Sequence, residues 1–170
     1  RLILIDAAGY SFEMPMMLKL LDTPVLKDSM AFITPKFVVT QTLNEVYGDG
    51  SKVTDATIER YHQMMLREGN REAVVSVLQT LTDINTDGIQ QVKVPTLIQW
   101  GEKDAWIPLA HAQQFADEIE GAKLITYPGV GHVPMEEIPD ETAQDAKKFL
   151  MLVIEEPKTI APKQVTPVVL

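Results

Sequence analysis

Val94-Pro95-Thr96-Leu97-Ile98-Gln99-Trp100-Gly101-Glu102-Lys103-Asp104-Ala105-Trp106-Ile107-Pro108 is the stretch that decides the fold. An apolar run enters through a proline, where a missing N–H is tolerable, and leaves through a glycine into a polar loop. That pattern predicts a buried strand over 96–100 with Asp104 on the loop at its carboxyl end. Pro108 then opens a helix with Leu109, Ala112, Phe115, Ala116 and Ile119 inward, ended by Gly121. Lys123 to Tyr127 reads as another short strand. It runs into Pro128-Gly129-Val130-Gly131-His132-Val133-Pro134-Met135-Glu136-Glu137, a loop that holds a histidine between structure breakers. Pro139 starts a last helix with Ala143, Ala146, Phe149, Leu150 and Val153 inward.

Upstream, Leu2-Ile3-Leu4-Ile5-Asp6 is a continuous aliphatic run ending in an acid, which suits a strand buried on both faces. Residues 13 to about 83 read as helices only. Thr34 is placed to cap a helix beginning at Pro35, with Phe37, Val38, Val39, Leu43, Val46 and Tyr47 apolar and Gly48-Asp49-Gly50 as its stop. Thr54 is the best-marked cap, with Val53 and Ile58 at staple spacing. Ile58, Tyr61, His62, Met65 and Leu66 follow on one helical face, and Gly69 stands where a C′ residue belongs. Asn70 can cap a third helix with Val74, Val77, Leu78 and Leu81 on its buried face. The order strand, helical block, strand, helix, strand, helix argues for an α/β fold with a parallel sheet. The expected units are a first core strand and its loop over 1–12, a helical insertion over 13–90, core strands and helices over 91–154, and an extended tail over 155–170.

Composition narrows the function. The 170 residues are 45% apolar and 23% charged, ordinary for a globular chain. A net charge of −9 without a basic stripe argues against nucleic acid. No apolar run is long enough to span a bilayer. Cysteine is absent, so there is no disulfide framework or thiol nucleophile, and a reducing, cytoplasmic compartment is compatible. No two of His62, His111 and His132 have metal-ligand spacing, so no metal and no other cofactor is expected.

In parallel α/β sheets, ligands bind beyond the carboxyl ends of strands. Three loops leave those ends here, and they carry Asp6, Asp104 and His132. An imidazole acting as a base needs an acceptor to orient its other N–H, and an aspartate on the adjacent loop supplies one. His62, on the apolar face of its helix, reads as a packed residue, and His111 reads as exposed.

Leu97 to Pro108, followed by Gly129-Val130-Gly131-His132-Val133-Pro134-Met135-Glu136, resembles the C-terminal half of an α/β-hydrolase fold enzyme, and the likeness extends to about residue 153. By that resemblance the three strands are the sixth, seventh and eighth of the fold, and the helical block is the cap that many members insert after the sixth. The resemblance implies that Asp104 is the triad acid and His132 the triad histidine. Asp6 is the alternative acid, because some members place it after the sixth strand. Hydrolysis of a carboxylic ester or similar acyl bond is implied, on a small apolar substrate. Trp106, Val133, Met14 and Met17 are the pocket candidates, six of the eight methionines falling in the cap. Within the same fold, an aspartate nucleophile would make an epoxide hydrolase or haloalkane dehalogenase. The alternative from another class is a non-catalytic fragment that binds a ligand or a partner.

The departure from the family is the nucleophile. Ser11, Ser29, Ser51 and Ser76 lack the glycine-flanked strand–helix elbow. The expectation is therefore a chain that has the base and its orienter but is inactive alone. Its exposed sheet edge should seek an N-terminal half or a second copy.

Overall fold

A computed structural model describes residues 1–13, 19, 34–80, 84 and 86–151. Strand β1 (Leu2–Ile5) pairs in parallel with β2 (Thr96–Gly101), Leu2 opposite Thr96 and Ile5 opposite Gln99. On the other side β2 pairs in parallel with β3 (Lys123–Tyr127), Leu97 opposite Lys123 and Gly101 opposite Tyr127. The sheet order is thus β1-β2-β3, and every residue of the central strand is buried. Because strand side chains alternate, β2 presents a different set of residues to each face of the sheet. Ile98 and Trp100 pack with Phe115, Ala112 and Ile119, beneath helix α4, which is Leu109–Glu118. On the opposite face Gln99 donates from Nε2 to the Tyr127 hydroxyl (2.6 Å) and to the Thr142 carbonyl (3.0 Å). Thr142 belongs to α6 (Pro139–Met151), which follows the single turn α5 (Pro134–Glu137). Parallel strands with helices on both faces are the expected α/β arrangement.

Between β1 and β2 the described elements are all helical: α1 (Lys36–Val46), α2 (Asp55–Met65) and α3 (Asn70–Thr80), with short 3-10 turns at Gly50–Lys52 and Ile89–Gln91. Val39, Leu43 and Val46 of α1 bury against Ile58 of α2, with Val53 and Tyr61 beside them. The Thr54 hydroxyl accepts from Thr57 N (3.1 Å), so the cap and staple read from sequence are formed. No helix among the described residues is long and apolar enough to cross a membrane.

Several local expectations are corrected. Helix α1 begins at Lys36 with Pro35 as its N-cap, and the buried Thr34 hydroxyl makes no cap bond. Phe37 is exposed because the buried face is set by Val39, Leu43 and Val46, about 200° around the helix from it. Gly69 has φ +81 but lies beyond the end of α2. Its carbonyl accepts from Ala73 N, so it is the entry to α3. Asn70 instead donates from Nδ2 back to the Met64 carbonyl (2.7 Å). Leu66, Val77 and Leu109 are exposed. In α6 the sheet-facing residues are Thr142 and Phe149, so Ala143 and Leu150 face outward. His111 is half-buried, edge-on to the Tyr10 ring at 5.4 Å, because the loop after β1 lies over the start of α4. Burial lowers its pKa. The side chain of Leu78, residue Leu81, Val153 and the tail over 155–170 lie outside the described residues.

Three glycines fix how the segments cross. A Cβ on Gly101 would collide with the carbonyl oxygens of Val130 and Gly131, where the histidine loop passes over the end of β2. One on Gly131 would collide with the Val46 carbonyl at the end of α1. One on Gly48 would meet Gly129 O and Gly131 N at 2.5 Å. The obstacles are backbone, which cannot swing aside as a side chain can. Gly101→Ala is therefore expected to lower the unfolding free energy by about 1–3 kcal/mol. Chemical denaturation of the variant measures it, and an unchanged midpoint would show that the loop is not packed this closely.

Candidate active site

The loop after β2 folds around its own aspartate. Asp104 Oδ1 accepts from Trp106 N (2.8 Å) and Ile107 N (3.0 Å), the turn that a short acceptor side chain makes with the residues two and three ahead. This leaves Oδ2 pointing at the neighbouring loop, where it accepts from His132 Nδ1 at 2.8 Å. The Asp104 side chain is fully buried and that of His132 is 21% exposed. An ionised carboxylate can only accept, so Nδ1 carries the proton and Nε2 is the basic nitrogen. The Trp106 ring lies 5.3 Å from the imidazole, centroid to centroid, and limits how the histidine can tilt.

Backbone bonds hold the two loops in register. Lys103 N donates to Val130 O (2.8 Å) and Glu102 N to Tyr127 O (3.1 Å). His132 N donates to the Val46 carbonyl at the end of α1 (2.7 Å), so the helical block anchors the histidine directly. Asp6 sits at the end of β1, 3% exposed, with its Oδ1 accepting from Gly101 N (2.9 Å). It does not bond to His132; among the two carboxylates read from sequence, Asp104 is the one in contact with the ring. Burial, opposed by the Gly101 N–H and reinforced by the Asp104 charge, pushes the Asp6 carboxyl up to about 8. The carboxylate and ring atoms of Asp6, Asp104 and His132 all lie within 4.8 Å of one another. Both Asp104 oxygens already accept N–H donors and His132 Nδ1 carries one of those protons, so the trio is a hydrogen-bonded group rather than a set of free metal ligands. Histidine spacing did not bring out that cluster.

A cavity of about 720 Å³ opens beside this group. It is lined by His132, Trp106 and Val133 together with apolar residues of the helices, among them Val39, Leu43 and Val74. Met64 and Met65 line it as well, whereas Met14 and Met17 lie outside the described residues. His62 does not line it: its Nε2 meets the Thr34 carbonyl at 2.9 Å.

Two residues that sequence reasoning assigned no role complete the support. Glu137 is buried, and its Oε1 accepts from Gly48 N (2.9 Å) and Gly131 N (2.6 Å) while Oε2 accepts from Asp49 N (3.2 Å). Glu136 accepts from the hydroxyls of Tyr47 and Tyr61, each at 2.7 Å, and pairs with Arg60. Burial works to raise the Glu136 carboxyl, but the Tyr61 and Tyr47 hydroxyls and Arg60 outweigh it and hold it below the usual range. The only sequence signal was two acids at the start of a turn opened by Pro134, which says nothing about partners 75 to 89 residues away.

Comparison with known proteins adds the relationship. The model of a family described as the alpha/beta hydrolase family matches residues 3–146. Lipase 1 of Psychrobacter immobilis is 37% identical over 84 residues, covering 47% of this chain and 26% of that protein. A 2-hydroxy-6-oxo-6-(2'-aminophenyl)hexa-2,4-dienoic acid hydrolase of Metapseudomonas resinovorans is 31% identical over 107 residues, 60% of this chain and 37% of that protein. Among solved structures, a meta-cleavage product hydrolase from Pseudomonas fluorescens superposes with a TM-score of 0.73 at 20% identity, over 88% of this chain and 55% of that one.

Two outcomes are expected from this support. Glu137→Ala strands three backbone donors at once and should cost about 3 kcal/mol or more in denaturant unfolding; less than about 1 kcal/mol would remove it from the framework. Glu136 has a folded pKa below its unfolded value near 4.5, so its contribution is present above that pH and disappears as pH falls through the folded value. Glu136→Gln should therefore lower thermal stability at neutral pH and make no difference in strong acid. A deficit that is the same at both pH values would contradict the assignment.

Proposed function

Because this chain belongs to the alpha/beta hydrolase family, we propose that His132 and Asp104 are the base and the orienting acid of a hydrolytic triad that cleaves a carboxylic ester or similar acyl bond. The observation that carries the reading is the 2.8 Å contact from His132 Nδ1 to a fully buried Asp104, at the carboxyl ends of parallel strands and facing an apolar cavity. His132 Nε2 takes the proton of a nucleophilic hydroxyl as its oxygen attacks the acyl carbon. The imidazolium so formed donates through Nδ1 to Asp104, whose charge stabilises it. The same proton is then returned to the departing alkoxide. In the second half water, deprotonated by the same nitrogen, attacks the acyl carbon; the bond to the nucleophile breaks, the acid leaves, and the proton returns to the nucleophile oxygen.

No glycine-flanked serine elbow stands in residues 1–170, so this reading assigns the nucleophile to sequence beyond them. The described helices α1 to α3 act as a cap over the site, and the apolar lining suits an acyl chain without charge. The relative named a lipase supports an ester substrate. A second reading has one observation in its favour: the relative matched over the longer span is named for a 2-hydroxy-6-oxo dienoic acid. Hydrolysis beside a ketone is therefore the competing acyl chemistry, served by the same pair.

The test is hydrolysis of apolar p-nitrophenyl esters, and of a 6-oxo dienoic acid in parallel, by this chain joined to a segment carrying the nucleophile elbow. His132→Ala and Asp104→Asn should each lower kcat by about 10³-fold or more. The 170-residue chain alone should show no turnover. Turnover by that chain alone, abolished by His132→Ala, would place the nucleophile within it and refute the assignment.

A further inference from the structure

Asp6 is the buried acid that the triad chemistry does not use. It follows directly on β1, in a left-handed conformation (φ 41) that few residues other than glycine adopt. The turn carries its side chain to the end of β2. There Oδ1 accepts the single Gly101 N–H, while Oδ2 is buried and accepts nothing. Asp104, fully buried beside it, accepts from Trp106 N, Ile107 N and His132 Nδ1. The carboxyl and ring atoms of this trio lie within 4.8 Å of one another.

Two carboxylates in one buried site cannot both hold full charge. The donors decide which of them ionises. Asp104, with three N–H groups aimed at it, is solvated by the protein as an anion. Asp6, with one donor for two oxygens, is not. We propose that Asp6 is a neutral carboxylic acid at neutral pH whose hydroxyl is directed at the Asp104 carboxylate, making it a positioning residue for the acid that holds His132. The other charged group bearing on Asp6 is Glu137, also an acid, while His132 and, more remotely, His111 face Asp104. Among the described residues, none of the groups that shift the Asp6 carboxyl is a cation, in keeping with the upward direction.

A proton held here limits the trio to one negative charge facing His132. Ionisation of Asp6 in mild alkali would add a second buried charge. Because the folded pKa lies above the unfolded value of 3.8, the contribution of Asp6 to stability is complete below that value and is lost as pH rises through about 8. Asn can accept from Gly101 and donate to Asp104 without that penalty. The gap in melting temperature between Asp6→Asn and the natural chain should therefore widen from about pH 4 to about pH 8 and then level off. A substitution with only a packing effect would shift the melting temperature equally at every pH.

The positioning role rests on the reading of Asp104 and His132 given above; the protonation does not, and it can fail separately. Infrared spectroscopy of the 170-residue chain, with aspartate labelled by ¹³C in its carboxyl group, reads it without turnover. The expected result is a protonated-acid carbonyl band at about pH 6 that titrates near pH 8 and is missing in Asp6→Asn. In Asp104→Asn the same band should titrate at lower pH, since the neighbouring charge is gone. A spectrum without that band at pH 6, or a band untouched by Asp6→Asn, overturns the proposal. If Asp6→Asn does not fold, the natural chain and Asp104→Asn carry the test, and equal midpoints in the two refute a shared proton.

Discussion

The Glu137 carboxylate is the constraint on which the site depends. It gathers N–H groups from Gly48, Asp49 and Gly131, three donors that belong to the segment just after α1 and to the histidine loop. A buried donor without an acceptor is costly, and no local turn could satisfy these three together. With the carboxylate in place, the two segments approach until only glycines fit between them, and His132 N reaches the Val46 carbonyl. The position of the imidazole is then set from three sides: the strand before it, the turn after it, and the helix beside it.

This arrangement gives the helical block two roles. Its inner faces supply the apolar lining of the cavity, and the end of α1 holds the backbone of His132. Glu136, with the hydroxyls of Tyr47 and Tyr61, extends the same connection along α1 and α2. A block tied so closely at Val46–Asp49 cannot swing away there without releasing the histidine.

Much of this was legible in the sequence because it is local or periodic. The buried run at 96–101, the two loops after strands and the Thr54 cap each declare themselves through a few adjacent residues. Asp104 and His132 were legible as candidates because parallel topology brings successive strand ends together. What was not legible is set by contacts distant in the chain. Apolar residues on α6 lie on more than one face, and only the sheet decides that Thr142 and Phe149 face inward while Ala143 and Leu150 do not. His111 seemed exposed by helical period, yet Tyr10 arrives from a hundred residues upstream to cover it. Glu136 and Glu137 looked like ordinary acids in a first turn. Gly131 apart, their partners lie 75 to 89 residues before them, beyond the reach of any local pattern.

The central claim is that Asp104 fixes His132 with its proton on Nδ1, leaving Nε2 as the base. Nitrogen NMR of the chain with ¹⁵N-labelled histidine measures this directly at a pH where the ring is neutral. The account predicts that His132 is the Nδ1–H tautomer, with a proton resonance moved far downfield by the Asp104 carboxylate, and that Asp104→Asn abolishes that shift. A neutral His132 protonated on Nε2, or an Nδ1 signal indifferent to Asp104→Asn, would contradict it.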